Sequence, residues 1–323
     1  MSDPSSVPVV DPVAAPRPAE TSVDLPVAAP SADLPVAAPS ADLPVADPSA
    51  DLPVADPAPA VAEAAGRPPR VALVTGAARR IGRAIALGLA AAGYDVAVHY
   101  GHSKDEAERT VADIHAMGRR AVALQADLAD PAACEALLEF ARVALGHVDC
   151  LVNSAARFEF DDADGFTPTA LERHLGPNLT APILLAQQLY RACRRDKRPG
   201  VVINLLDQKL DNLNPDFFSY TLTKTALLGA TRMMAMAFAP LLRVNGVSPG
   251  ATLASWNQDD EQFAHANRIA LLGRSSLPDD IVQAVCYLAE ASAVTGVNLI
   301  VDGGQHLMAL DRDVMFLTPK PPA

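Results

Sequence analysis

Residues 71–75, Val-Ala-Leu-Val-Thr, form an unbroken apolar run that stops at Gly76 and passes into helix-period sequence, Ile81-Gly82-Arg83-Ala84-Ile85-Ala86-Leu87, closing at Gly93. An apolar run without alternation suits a strand buried on both faces, and a strand that turns through glycine straight into a helix restricts the chain to few architectures. The same unit recurs. Asp95–His99 reads as a second strand before a polar helix over about 103–117, and Ala121–Leu124 and Asp149–Val152 read as the third and fourth. Asp130-Pro131 opens the helix between these two, proline being at home in the first helical position. Val201–Leu205, Leu242–Val247 and Val297–Val301 bring the strands to seven. Regular alternation of strand and helix predicts an α/β fold: one doubly wound, parallel, seven-stranded sheet in a single domain over residues 70–312, with a C-terminal tail at 313–323.

The residues before this domain follow different rules. Residues 1–70 hold 16 of the 28 prolines, one glycine and no aromatic side chain, and carry 3 basic against 10 acidic groups. Such a segment cannot bury enough apolar surface to offset its chain entropy, so residues 1–69 are expected to be a disordered low-complexity tail. Within it Asp-Leu-Pro-Val recurs every nine residues, at Asp24, Asp33, Asp42 and Asp51, too short a unit for a stacked solenoid.

Composition removes several functions. A net charge of −12 argues against nucleic acid or anionic lipid as partner. The first ten residues lack the basic and apolar regions of a secretory signal, and no stretch reaches the roughly 20 apolar residues of a membrane span. Cys134, Cys150, Cys193 and Cys286 are scattered, as in a reduced cytoplasmic protein, and the histidines form no metal-ligand set, so no metal is expected.

The ligand site of such a sheet lies beyond the carboxyl ends of its strands. Gly76 permits a tight turn off the first strand, Gly82 lets the helix pack close, and the helix start at Arg79-Arg80-Ile81 offers amides and a positive dipole end to a phosphate. Two arginines sit badly against that dipole unless an anion joins them. His99-Tyr100-Gly101-His102-Ser103, ending the second strand, has no carboxylate that would repel a further phosphate. Tyr220 and Lys224 stand four residues apart on one helix face, where an ammonium can lower the pKa of a phenol and make it a better proton donor.

Thr75-Gly76 through Gly82, Asn153-Ser154-Ala155-Ala156, Tyr220-xxx-Lys224 and Pro249-Gly250 together resemble the short-chain dehydrogenase/reductase family, over about residues 70–307, and most of all its pteridine reductase branch. The resemblance implies a Rossmann-type sheet, NADPH/NADP+ as cofactor, a small-molecule substrate and a homotetramer. Gly76, Arg79, Ile81, Gly82, Asn153, Ser154, Ala155, Pro249 and Gly250 would border the cofactor. Arg80 stands where the family usually has glycine, and is expected with His99, Tyr100, His102 and Ser103 to hold the 2′-phosphate. Asp127-Leu128 resembles the adenine contact, with a helix cap as the alternative. Tyr220 and Lys224 would bind the nicotinamide ribose and manage the proton. Asp207, where most relatives carry serine, resembles the pteridine reductases; Asn178 matches the asparagine that kinks the fourth helix, and Phe158 an aromatic against the pterin ring. Trp256 falls in the loop that closes over substrate. The implied activity is NADPH-dependent reduction of a dihydropterin or dihydrofolate. A general carbonyl reductase, and a non-catalytic cofactor-sensing protein, are the alternatives.

Overall fold

The branched residues of Arg70–Val74 favour extended backbone, and burial of Val71–Val74 to 2 % exposure or less places this strand, β1, at the centre of the molecule. The structure, a computed structural model, describes residues 70–254 and 258–317. The expected N-terminal tail and Trp256 therefore lie outside the described residues.

Six further strands follow: β2 (Tyr94–Tyr100), β3 (Ala121–Gln125), β4 (Val148–Asn153), β5 (Gly200–Leu205), β6 (Leu242–Pro249) and β7 (Asn298–Val301). All pair in parallel, in the order β3-β2-β1-β4-β5-β6-β7, as the alternation predicts. The helices are α1 (Arg80–Ala91), α2 (Lys104–Ala116), α3 (Pro131–Leu145), α4 (Pro168–Leu175), α5 (Ala181–Asp196), α6 (Phe218–Phe238), α7 (Asp260–Arg268) and α8 (Pro278–Glu290). Their starts obey local chemistry. Asp130 accepts from Ala132 N ahead of Pro131, Thr167 accepts from Ala170 N ahead of Pro168, and Asp259 with Gln262 closes a capping box.

Successive strand residues feed opposite faces. Val74, Val96 and Val152 pack with Ile85, Ala107 and Val285 from α1, α2 and α8, while Leu73, Ala97 and Leu151 pack with Leu137, Leu185 and Met234 from α3, α5 and α6. Neither half of the sheet's strand order is interrupted, so the direction of winding reverses once, between β1 and β4. There the carboxyl ends diverge and leave room for a ligand. The expected boundary at 312 needs revision, because Val314–Phe316 form a turn of 3-10 helix packed on the domain rather than the start of a tail.

Candidate active site

The turn after β1 is built against its neighbours. Gly76 has φ +66°, in the left-handed region, and a Cβ there would stand 2.9 Å from Ala155 Cα. Thr75 Oγ1 accepts from Ser154 N at 3.0 Å and Ala155 N at 3.1 Å, which fastens the end of β4 to the end of β1. Gly76 N donates to His99 Nδ1 at 3.1 Å, so the ring proton belongs on Nε2, which donates to Ala126 O at 3.2 Å.

His99 is thus a positioning residue rather than a ligand contact, and burial pushes its pKa down from 6.5 to about 4. The folded state then resists protonation more than the unfolded chain does. This contribution, about 3 kcal/mol, is complete above roughly pH 6.5 and is lost as pH falls toward 4. Thermal melts between about pH 7 and pH 4.5 should show a steeper loss for the wild type than for His99→Asn. Parallel slopes would remove the imidazole from that role.

The two arginines part company. Arg80 adopts φ +55°, the conformation that glycine takes most easily, and its guanidinium donates to Ala254 O at 2.8 Å in the loop after β6. Arg80 also lines the cavity beyond the strand ends, and the expected hold on a 2′-phosphate would need these donors to leave that loop. Arg79 is exposed and lines the cavity, and its guanidinium has no hydrogen-bond or ion-pair partner among the described residues. Tyr100, Gly101 and Ser103 line the same cavity, of about 620 Å³, while His99 and His102 do not. Asp127 accepts from Ala129 N at 2.9 Å, closing its own turn, and neither it nor Leu128 borders the cavity. The α3 cap is Asp130, so Asp127 fills neither the expected cap nor, among the lining residues, the adenine contact.

At the other end of the cavity, Tyr220 O–H donates to Asp207 Oδ2 at 2.9 Å and Lys209 N donates to Asp207 Oδ1 at 2.9 Å. Burial pushes the Asp207 carboxyl up, Asp313 adds to this, and the hydrogen bonds from Lys209 N and Tyr220 act against it. Lys224 Nζ donates to Leu205 O at 2.6 Å, and desolvation brings its pKa down from 10.5 to about 8. Its ammonium stands 5.7 Å from the Tyr220 ring centre. The expectation that this ammonium lowers the phenol pKa is corrected. Burial first, then the Asp207 charge, holds the phenol well above its ordinary value.

Other expected residues act behind this front. Asn178 lies buried in a π-helical turn, Gly176–Thr180, between α4 and α5; its Oδ1 accepts from Arg157 N at 2.7 Å and its Nδ2 donates to Thr223 Oγ1 at 3.2 Å. A single π turn inserts one residue into the helical path, a feature commonly found where helices kink. Asn178 does not border the cavity. Asn153 Nδ2 donates to Asn204 Oδ1 at 2.8 Å, and its own Oδ1 is buried without a partner. Ser154, Ala155, Ala156, Pro249 and Gly250 all line the cavity. Phe158 stacks on Phe217 at 4.2 Å and meets Tyr220 edge-on at 4.8 Å, forming an aromatic wall. Among the described residues no cluster of three His, Cys, Asp or Glu could hold a metal ion, and no helix is long and apolar enough to cross a membrane.

Sequence reasoning missed Gln208, Asp313, Val314 and Met315, which also line the cavity. The available cue was the apolar run Val314-Met315-Phe316 beyond the last strand.

Comparison with known proteins follows this geometry. The family model described as enoyl-(acyl carrier protein) reductase matches residues 76–306. The L-rhamnose 1-dehydrogenase (NAD(P)(+)) of Sphingomonas sp. strain SKA58 is 32% identical over 245 residues, covering 74% of this chain and 96% of that protein. FolM alternative dihydrofolate reductase 1 from Brucella canis, solved complexed with NADP, is 39% identical with a TM-score of 0.71, covering 74% of this chain and 94% of its own. A blue fluorescent protein from a metagenomic library, solved in complex with NADPH, is 36% identical with a TM-score of 0.67, covering 73% and 97%.

Proposed function

The chain belongs to the short-chain dehydrogenase/reductase family, and from that premise we propose that it is an NADPH-dependent reductase of dihydropterin or dihydrofolate. NADP(H) is its cofactor, and the residues present suit it. The cavity runs along the start of α1, where backbone amides and the Arg79 guanidinium would meet a phosphate. The lining at the end of β2, from Tyr100, Gly101 and Ser103, contains no carboxylate. Gly76, Ile81 and Gly82 would lie along the pyrophosphate, and Ser154, Ala155, Pro249 and Gly250 along the rest. Tyr220 and Lys224 would hold the nicotinamide ribose, with Asn153 and Asn178 setting the backbone behind them.

The bound cofactor supplies a hydride to a substrate carbon. The neighbouring atom then gains negative charge and needs a proton at the same end of the cavity. Asp207 and Tyr220 are hydrogen-bonded there, and burial raises the proton affinity of the carboxyl, which suits the pair to hand on a proton. A carboxyl group can deliver it to a ring nitrogen as well as accept a bond from a ring N–H, whereas the serine more usual in the family cannot do the former. Lys224, fixed on Leu205 O, retains donors for a ribose hydroxyl. Phe158 supplies a flat face for a flat ring.

The observation that carries the pterin reading is the Asp207–Tyr220 pair beside that face, and the 39% identity to a FolM reductase supports it. The L-rhamnose dehydrogenase relative favours a second reading, a carbonyl reductase or alcohol dehydrogenase in which Asp207 is incidental. Loss of NADPH absorbance with dihydrobiopterin, dihydrofolate and a set of sugars and quinones decides between them. Turnover confined to carbonyls would overturn the pterin reading.

Cofactor preference has its own test. Arg79→Asp should weaken NADPH by roughly ten- to a hundredfold and NADH much less, as befits loss of a charge-assisted bond to phosphate. Equal weakening of the two would remove Arg79 from the 2′-phosphate. Residues 313–317 are proposed as part of the catalytic domain.

A further inference from the structure

The substrate end of the cavity contains a second set of polar groups that the proton-transfer pair does not use. Gln208 follows Asp207 directly, is 8% exposed and lines the cavity, and its Oε1 is buried without a hydrogen-bond partner. Buried amide oxygens are rarely left without a donor, so an enclosed orphan in a side chain that lines the cavity points to a donor brought by what enters it. The next residue, Lys209, is 2% exposed and donates from Nζ to Asp216 O at 2.7 Å and Asp313 Oδ2 at 2.8 Å.

That second contact fastens the C-terminal arm, residues 308–317, over the site. Arg312 Nε donates to Asp216 Oδ2 at 2.8 Å, Asn212 Nδ2 donates to Met308 O at 2.7 Å, and Phe316 stacks on Phe217 at 5.8 Å. The arm begins beyond residue 306, where the family match ends, yet Asp313, Val314 and Met315 line the cavity.

We propose that Gln208 and the C-terminal arm determine substrate specificity, receiving the N–H-bearing edge of a flat heteroaromatic substrate. This rests on the reductase reading above and adds to it the residues that choose the substrate. The chemistry is one of acceptors. The Gln208 Oε1 lacks a donor, and the Asp313 carboxylate, which accepts from Lys209 Nζ and Met315 N, keeps further lone pairs; the amino and ring N–H groups of a reduced pterin present donors in one plane. The aromatic pair Phe158–Phe217 accommodates that plane. A quinone of similar flatness has no N–H to offer, and an anionic sugar acid would meet the Asp313 carboxylate with like charge.

Steady-state kinetics with NADPH, comparing dihydrobiopterin with the quinone menadione, tests this. Gln208→Leu should lower the kcat/KM ratio of dihydrobiopterin over menadione about tenfold, chiefly through the dihydrobiopterin KM. Gln208→Glu, which keeps an acceptor, should return that ratio to within about threefold of the wild type. Met315→Trp, which narrows the arm's wall without cutting its clasp, should also raise the dihydrobiopterin KM about tenfold, with NADPH affinity within about twofold. A ratio unmoved in Gln208→Leu, or an equal loss with both substrates, would overturn the proposal. A wild-type chain that reduces menadione and no dihydropterin would instead overturn the pterin reading itself.

Discussion

Replacing Asp207 with asparagine should lower kcat for dihydropterin reduction by roughly a hundred- to ten-thousandfold while leaving the NADPH dissociation constant within about twofold. Asparagine keeps the shape of the side chain: its Oδ1 can accept from Lys209 N, and its Nδ2 can donate to the Tyr220 oxygen, so both contacts survive with the second reversed in direction. It cannot give up a proton. The loss therefore reads proton delivery and not a disturbed wall. The pH profile adds a sign. A donor must be protonated, so kcat should fall as pH rises through the raised Asp207 pKa, and this limb should vanish in the variant. A kcat within threefold of the wild type, or an unchanged limb, would return the proton to Tyr220 alone.

The second large effect belongs to the first turn. A Cβ on Gly82 would run into the carbonyl oxygen of Gly76 and come within 3.2 Å of Ser154 Oγ. The obstacle is backbone, in a turn already held by His99 and Ala155, and cannot swing aside as a side-chain tip would. Gly82→Ala should therefore cost about 1–3 kcal/mol of stability and weaken NADPH by at least tenfold, because α1 must retreat from the turn that cradles the phosphates. Gly229→Ala in α6 is the control. Nothing lies within 4 Å of its Cβ position, so that variant should be neutral or slightly stabilising. Thermal melts and a fluorescence titration with NADPH report both quantities. Gly82→Ala with wild-type affinity would dissociate the close approach from cofactor binding.

Much of this was legible in the chain itself. The seven strands are short runs dominated by Val, Ile, Leu and Ala, and burial on both faces leaves such runs one reading. Their ends moved by no more than two residues, as with β6, which continues to Pro249. Tyr220 and Lys224 share a helix face by spacing alone. What sequence could not reveal depends on tertiary direction. Arg80 and Arg79 are adjacent, and only the left-handed backbone at Arg80 sends its guanidinium toward residues 253 and 254. The rise of the Tyr220 pKa comes first from burial and then from the carboxyl of Asp207 at 2.9 Å, thirteen residues earlier. The Lys209–Asp313 pair joins residues 104 positions apart, and no local pattern announces a lysine that is to be buried.

The single reversal of winding has a consequence for how such a chain can change. The loops proposed for phosphate leave β1 and β2, while Asp207 and Gln208, proposed for substrate, follow β5 and are joined by the C-terminal arm. The two repertoires hang from separate halves of one rigid floor. Drift or engineering can therefore exchange what the enzyme reduces without renegotiating what reduces it, and the arm, fastened by a few ion pairs at the margin of the fold, is the cheapest part to rewrite.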